Sequence, residues 1–240
     1  MKIHVYTVAW NEEYIMPYFL RHYSKFCDKI FVYDNESTDS TVDIVKSFPN
    51  TEVRTFKSED KFNDLANLYI KGNMYKQSRG EADWVIVVDA DEFVYYPNIK
   101  EKLSEYDQRG INFPKIIGYE MMPGCELDYN DDLPEKYKLG TRFINLDKRA
   151  IFKPELDMKY GVGCHFAEIP QGAIESQSQE IKLLHYKMIN MDYFIQRHQT
   201  LNKRLSDINK QKGWGIHYSW TKNQMIENYN SFFYKREKII

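Results

Sequence analysis

The sequence predicts an α/β fold in which a mostly parallel sheet is flanked by helices, with a helical extension at the C-terminus. Three observations support this prediction. Strand-like and helix-like segments alternate through the first 90 residues, and repeated βα units build parallel sheets. The segment WVIVV (84–88) is wholly apolar, which is typical of a strand buried on both faces. From residue 191 onward, apolar residues recur at helical spacing.

The predicted elements follow a regular order in the first part of the chain. Strands are predicted at 2–10, 29–35, 52–56 and 84–90, and helices at 12–26, 37–48 and 62–77. The rest is less regular, with strands predicted at 111–122, 148–154 and 180–187, an acidic loop at 123–140, and helices at 191–208 and about 222–238. Because we find neither an internal repeat nor a linker, we expect a single domain.

The composition is that of a globular protein with little overall charge. The chain has 240 residues, of which 42% are hydrophobic, and its net charge is −2. It is long enough to bury a core, and the net charge gives no reason to expect nucleic acid as a partner. Residues 181–240 hold 11 Lys+Arg and 4 Asp+Glu, which leaves 22 and 31 for the first 180. This basic segment either faces an anion, such as a phosphate or a membrane surface, or is a solvated helix face.

Cysteine usage and the N-terminus bear on the compartment. Cys27, Cys125 and Cys164 are widely spaced and form no CxxC pair, which argues against a zinc ribbon and favours reducing surroundings. The N-terminal segment becomes charged too early for a signal peptide, and no segment approaches the ~20 apolar residues of a membrane span. We expect a cytoplasmic protein, with peripheral contact at the inner face of the membrane through the basic C-terminal segment as a further hypothesis.

Clustered carboxylates follow the apolar segment 84–88. Asp89, Asp91 and Glu92 would repel one another when buried, and a divalent metal ion is a common partner for such oxygen ligands. Residues two apart in an extended chain point the same way, so Asp89 and Asp91 can face one ion. Polar residues also follow the first two strands, and ligands bind at that edge of parallel sheets. The alternative interpretation is that Asp89 or Asp91 caps a helix.

Two motifs resemble a known family. FVYDNESTDSTVDIV (31–45) and DWVIVVDADEFV (83–94) are similar to the signatures of glycosyltransferases with the GT-A fold, specifically the family-2-like bacterial group. The opening VYTVAWNEEYIMPYFLRHYSKFCDKIFVYDNESTDST (5–41) is similar to the first strand, NEE turn and second strand of that group. The resemblance covers about the first 95 residues, and HYKMINMDYFIQRH (185–198) resembles the family's late histidine segment.

The resemblance implies a nucleotide site with a metal ion. Asp34 is expected near the base, and the residues from Thr7 to Asn11 around base and ribose. Asp89 is expected to contact the ribose or a metal-bound water, and Asp91 to bind Mn²⁺ or Mg²⁺ directly, so both are candidate metal ligands. The ion would bridge the two phosphates of a nucleotide-sugar and stabilise the leaving diphosphate as a Lewis acid.

Two histidines compete for the place of a further metal ligand. The resemblance favours His185, in LLHYK, because the family often completes its metal site with a late histidine. His165 lies in the glycine-bearing segment YGVGCHFAEIPQG (160–172), where the backbone can approach a ligand closely, and it is the alternative ligand or an acceptor contact. Trp214 either stacks on a sugar ring or packs the last helix onto the core.

The catalytic base is the least determined part of the implied site. An inverting transferase needs a carboxylate that deprotonates the acceptor hydroxyl. The sequence has no clean equivalent of the Glu-Asp pair that the family often carries downstream. The candidates are Glu120, at the end of a predicted strand, and Glu168, three residues after His165, with Asp157 as a third.

The resemblance implies a division of the chain and an activity. Residues 1–190 would be the catalytic domain, and residues 191–240 a helical extension of the same domain. The expected reaction moves a hexose from a nucleotide-sugar, with UDP favoured, to a surface glycan or a lipid-linked acceptor. Two other functions stay open: a non-catalytic sugar- or nucleotide-binding scaffold of the same fold, and an Asp-x-Asp phosphatase. The phosphatase would place its Asp pair after the first strand, whereas three strands precede it here.

Overall fold

The computed structural model describes residues 1–59 and 61–240 as two five-stranded sheets with helices packed around them. The first sheet has the order β3-β2-β1-β4-β8. Its strands are β1 (Ile3–Ala9), β2 (Lys29–Asp34), β3 (Thr51–Thr55), β4 (Trp84–Val87) and β8 (Ile151–Phe152). The first four are parallel, and β8 pairs antiparallel with β4. The predicted parallel sheet is therefore confirmed.

The second sheet was not predicted as a separate layer. It has the order β10-β7-β6-β9-β5, and only β6 and β9 are parallel. Its strands are β5 (Glu92–Tyr95), β6 (Ile116–Met121), β7 (Leu139–Arg142), β9 (Ile181–His185) and β10 (Glu237–Lys238). Strand β9, which lies between β6 and β5, aligns His185 with Glu92 on one side and with Glu120 on the other. This register brings two acids and a histidine from distant parts of the sequence into one row.

Eight α-helices lie within the described residues. They are α1 (Met16–Ser24), α2 (Thr41–Lys46), α3 (Asp64–Asn73), α4 (Ile99–Gln108), α5 (Leu133–Lys136), α6 (Met191–Arg204), α7 (Asp207–Lys212) and α8 (Lys222–Phe233). Asn63 begins α3, because its side chain accepts hydrogen bonds from the amides of Leu65 and Ala66. None of these helices is both long enough and apolar enough to cross a membrane.

Several predicted boundaries were wrong, and each has a local cause. The predicted helix 191–208 is two helices, because the backbone of Phe62 bonds to Arg204 and to Ser206 and interrupts the helical pattern there. Ser206 then caps α7 by accepting from the amide of Asn209. The segment 123–140 is not only a loop but includes α5 and the start of β7, and the last helix ends at Phe233 before β10.

The core has a layer on each face of the first sheet. All four residues of β4 are buried, and they alternate between two apolar clusters: Trp84 and Ile86 pack in one, Val85 and Val87 in the other. This confirms the prediction that the strand is buried on both faces. In the larger cluster, Phe93 of β5 contacts Phe19 of α1, with ring centroids 6.2 Å apart. The two sheets therefore share one core. The turn between β4 and β5 joins a buried strand of the first sheet to a mostly buried strand of the second.

We predict that Gly118→Ala destabilises the protein by about 1–3 kcal/mol, because overpacking a filled core has that cost. An added Cβ at Gly118 would lie 2.2 Å from the Cβ of Leu146. Gly72→Ala is the matched control: its nearest contact would be 3.6 Å away, and alanine is the better helix former. Chemical unfolding measures both variants. Equal stability of Gly118→Ala and the wild type would contradict this packing.

Candidate active site

A cavity of about 480 Å³ lies at the carboxyl ends of β1 and β4. It is bounded by these strand ends, by α3 and α6, and by the segment 213–218. Five cations line it, namely Lys71, Lys148, Lys187, Arg197 and Arg204, together with the carboxylates Glu12, Asp64, Asp89 and Asp91. A concave site with several charged groups at this edge of a parallel sheet is where a ligand is expected.

The turn after β4 carries three carboxylates, two of which line the cavity. Glu92 folds back so that its Oε2 accepts the amide of Asp89 at 3.0 Å, while its own amide donates to the Asp89 carbonyl at 3.0 Å. This closed turn separates the side chains. Glu92 points into the protein and is 1% exposed, whereas Asp89 and Asp91 line the cavity.

Two lysines neutralise Asp89. Lys71 Nζ contacts its Oδ1, and Lys148 Nζ lies 3.0 Å from its Oδ2. Lys148 also contacts the buried Glu92. Burial alone would raise the pKa of Asp89, but the ammonium groups of Lys148 and Lys71 hold that pKa well below its usual range. Asp89 is therefore ionised and both of its oxygens are occupied by cations.

His185 links Asp91 to Glu120 in a second group of charged side chains. His185 Nε2 lies 3.3 Å from Asp91 Oδ2, and the Nδ1–H of His185 donates to Glu120 Oε2 at 2.8 Å. Burial alone would lower the pKa of His185, but Glu120 and then Asp91 raise it well above its ordinary value. Without a ligand, the imidazole is thus a cation between two acids, and Glu120 fixes the orientation of its ring.

Part of the predicted metal site fits an ion. Ligands of an octahedral ion lie about 2.1 Å from it, so neighbouring ligand atoms are about 3.0 Å apart. Asp91 Oδ2 and His185 Nε2, at 3.3 Å, fit that spacing, and a histidine held by a carboxylate at its other nitrogen is a common ligand arrangement. Asp89 does not fit equally well, because lysines contact both of its oxygens. Across residues 1–59 and 61–240, no group of three or more His, Cys, Asp or Glu side chains is placed so that it could hold a metal ion.

The other side of the cavity is built by α6 against the end of β1. Arg197 donates to the carbonyls of Trp10 and Asn11, both at 3.1 Å, and contacts the carboxylate of Glu12. The guanidinium of Arg204 lies over the ring of Trp10, 3.6 Å from its centroid. The C-terminal extension thus supplies part of the cavity wall.

The predicted nucleotide residues lie at or just behind this wall. Thr7 is fully buried, and Asp34 is 3% exposed and accepts from the amide of Ser37. Asn11 has a positive φ of 50°, and its side-chain amide pairs with Thr38. None of Thr7, Asn11 and Asp34 lines the cavity, but their sequence neighbours Val8, Trp10 and Asn35 do.

The remaining predicted residues are divided between cavity and surface. His165 and Trp214 line the cavity, and the ring Nδ1 of His165 bonds to the carbonyl of Asn145 at 2.9 Å. Glu120 lies behind His185 and is 3% exposed. Glu168 is 65% exposed and pairs with Lys159 at 3.5 Å, outside the cavity. The assignments of Glu120 and Glu168 as bases stay predictions.

Sequence analysis missed Lys71, Lys148 and Arg197 as individual residues. Lys71 lies seven residues after Asp64 in α3, and only the structure shows that both are buried, so the sequence offers no usable signal for it. Arg197 lies in the segment that resembles the late histidine motif. Lys148 carries no local signal, because its partner Asp89 is 59 residues away.

We predict that Glu120→Gln lowers the pKa of His185, because Glu120 is the largest influence that raises it. In the wild type the folded-state pKa lies above the unfolded value near 6.5. The stabilisation from this charge is therefore complete below about pH 6.5 and is lost as the pH rises through the folded pKa. Histidine NMR titration measures the shift. Glu168→Gln is the control and leaves the His185 titration unchanged; identical titrations in both variants would contradict the role of Glu120.

Comparison with known proteins identifies the family. The sequence model described as glycosyl transferase family 2 matches residues 5–148, which is more than half of the chain. No curated protein matches the sequence. Among solved structures, S. aureus TarS 1–349 is 15% identical with a TM-score of 0.47, covering 93% of this chain and 73% of that one.

Two further similar structures are complexes with ligands. TarS 1–349 in complex with UDP-GlcNAc is 14% identical, with a TM-score of 0.45 and coverage of 93% and 74%. Glucosyl-3-phosphoglycerate synthase from Mycobacterium tuberculosis, in complex with Mn²⁺, UDP and phosphoglyceric acid, is 22% identical, with a TM-score of 0.31 and coverage of 51% and 44%. The family match decides the assignment: this chain is a glycosyltransferase that belongs to glycosyl transferase family 2.

Proposed function

We propose that this glycosyltransferase moves a hexose from a UDP-sugar, bound in the cavity at the ends of β1 and β4, to a surface glycan or a lipid-linked acceptor. The observation that carries the proposal is the meeting of Asp91, His185 and five cations in one cavity at the carboxyl edge of a parallel sheet. Cations bind the diphosphate of such a donor, and the edge of the sheet is where nucleotides bind in this architecture.

The nucleoside occupies the side of the cavity formed by Val8, Trp10 and Asn35. Val8 and Trp10 belong to the predicted nucleotide range from Thr7 to Asn11, and Asn35 directly follows the predicted Asp34. Asn35 is held by Ser58, whose hydroxyl donates to its Oδ1 at 2.9 Å. A fixed amide next to an aromatic ring suits a planar base, which needs both stacking and hydrogen bonds.

Asp91 and His185 would hold a Mn²⁺ or Mg²⁺ ion, which supplies charge neutralisation for the leaving diphosphate. The protein's own contribution is to fix these two groups. The backbone carbonyl of Asp91 accepts from the amide of Tyr186 at 2.8 Å, next to His185 in sequence. Glu120 holds the other nitrogen of His185, so the Nε2 that faces Asp91 has a defined direction.

The cavity mouth also supports peripheral contact with an anionic membrane. Lys203, Lys210 and Lys212 are exposed on α6 and α7, directly before the wall segment 213–218. Ile216 in that wall is 66% exposed. Exposed lysines beside an exposed apolar residue suit an interface with anionic lipid headgroups, where a lipid-linked acceptor would be presented to the cavity.

We predict that UDP with Mn²⁺ raises the melting temperature by roughly 5–10 °C. A ligand at 100 times its Kd adds about 2.7 kcal/mol, and each kcal/mol shifts a domain of this size by about 2–4 °C. UDP with a chelator should have a smaller effect, because Asp91 would then face the phosphates without an ion. An Asp91→Asn variant should lose most of the Mn²⁺-dependent part of the shift.

The same scan tests whether the cavity binds a nucleotide at all. GDP, dTDP and CMP are tested alongside UDP to rank the base preference. If no nucleotide shifts the melting curve, the proposed donor site is wrong. If UDP acts equally with and without Mn²⁺, nucleotide binding stands but the metal at Asp91 and His185 does not.

We predict that replacing Lys203, Lys210 and Lys212 together by Gln weakens binding to anionic lipid vesicles on the order of 100-fold, since each lysine near such a surface contributes about 1 kcal/mol. Wild-type binding should also fall steeply with salt. Replacement of Lys2, Lys100 and Lys235, which are also exposed, is the control for net charge. Equal loss in both triple variants, or no vesicle binding by the wild type, would contradict this orientation.

A further inference from the structure

Two lysines in the cavity wall are almost completely buried. Lys71 in α3 is 8% exposed and Lys148, just before β8, is 7% exposed. They approach Asp89 from different elements and contact one of its oxygens each. Both line the cavity, so each lysine borders the space in which a donor would lie.

Each ammonium group has donors left over. A lysine has three N–H groups and no acceptor. Lys71 donates one to Asp89, and Lys148 donates one to Asp89 and forms an ion pair with Glu92. No further acceptor for either group is found in the described parts of the chain, residues 1–59 and 61–240. At least one N–H of each lysine is therefore available to a ligand in the cavity.

A contribution to folding stability does not explain why these two lysines are buried. Removing two ammonium groups from water costs several kcal/mol each, and apolar replacements of buried ion pairs are often neutral or stabilising. Both lysines remain firmly charged, since Asp89 more than offsets the burial that would lower the pKa of each. Two permanent positive charges are thus held in fixed positions at a cavity wall, which is the arrangement that binds an anion.

We propose that Lys71 and Lys148 bind phosphate oxygens of the nucleotide donor, and that Asp89 and Glu92 are positioning residues for these lysines. The proposal deepens the proposed function and rests on it. It gives the first Asp of the Asp-x-Asp motif a role different from that of the second: Asp91 faces the ion together with His185, whereas Asp89 acts through the two lysines. The diphosphate then contacts cations on both sides of the turn 89–92.

The proposal also gives a role to Glu92, which is buried away from the cavity and contacts Lys148. Asp89 alone offers one negative charge to two ammonium groups. Glu92 supplies the second, so that the four groups are neutral together before the donor binds. Because Glu92 also accepts the amide of Asp89 at 3.0 Å, it fixes the turn and the lysine at once.

The test compares uridine, UMP and UDP by titration calorimetry, each with Mn²⁺ and with a chelator. The variants are Lys71→Met and the double variant Lys148→Met with Glu92→Gln, in which the second change avoids leaving a buried acid unpaired. Lys102→Met is the matched control: Lys102 is 4% exposed and bridges two carboxylates, Glu105 and Glu180, but does not line the cavity. Melting curves confirm that each variant is folded.

We expect the two cavity variants to bind UDP roughly 10- to 100-fold more weakly, the range for one lost charged hydrogen bond, in both conditions. Their affinity for uridine should match that of the wild type, and UMP shows whether the first phosphate is involved. Unchanged UDP affinity, or an equal loss for uridine and UDP, would overturn the role of the lysines while leaving the donor site intact. If the wild type binds none of the three ligands, the proposed function itself fails.

Discussion

The structure depends on how three carboxylates within four residues are neutralised at the end of a buried strand. Asp89 is paired with Lys71 and Lys148, Glu92 with Lys148, and Asp91 with His185. Unpaired, these acids would repel one another and oppose burial of the strand that carries them. Each cation comes from a different element, so the charges can be balanced only when α3, β9 and the segment before β8 are all in place.

Neutralisation of these three carboxylates also connects the two sheets. The turn 89–92 leaves the first sheet at β4 and enters the second at β5, where the register places Glu92 and Glu120 on either side of His185. The C-terminal extension completes the opposite wall, because Arg197 holds the carbonyls of Trp10 and Asn11 at the end of β1. The cavity is therefore a consequence of the topology, which brings together the ends of β1 and β4, His185 of the second sheet and Arg197 of α6.

The sequence allowed prediction of what is encoded locally. The alternation of apolar segments identified β1 to β4 and the helices between them, and the polar residues after the strands indicated the correct edge of the sheet. The segment containing β5 and α4 was missed, although Asn98 followed by Glu101 is a usable N-cap signal. The short strands β7 and β10 carry too few residues to show a period, and they form through pairing with other strands: β7 with β6 and β10, and β10 with β7.

The cations that pair with the carboxylates also could not be predicted, because they are distant from them in sequence. A carboxylate cluster shows in the sequence, but its cations lie 18 and 59 residues from Asp89 and come together only in the folded chain. We expected a metal ion to offset the repulsion between the acids. In the structure lysines and a histidine do so, and the ion that we propose would be held by Asp91 and His185 rather than by the whole cluster. The carboxylate pattern therefore predicted where in the fold the charged cluster lies, but it did not predict which group neutralises which acid.

The central claim is that the groups around Asp91 act on a nucleotide-sugar, and release of nucleoside diphosphate from a panel of nucleotide-sugars tests it most directly. The account predicts that the wild type releases UDP from at least one UDP-sugar in the presence of Mn²⁺. Asp91→Asn should reduce that rate by roughly 100-fold or more, the effect of removing one group that stabilises developing charge. Equal rates for Asp91→Asn and the wild type, or release from no nucleotide-sugar of the panel, would contradict the account.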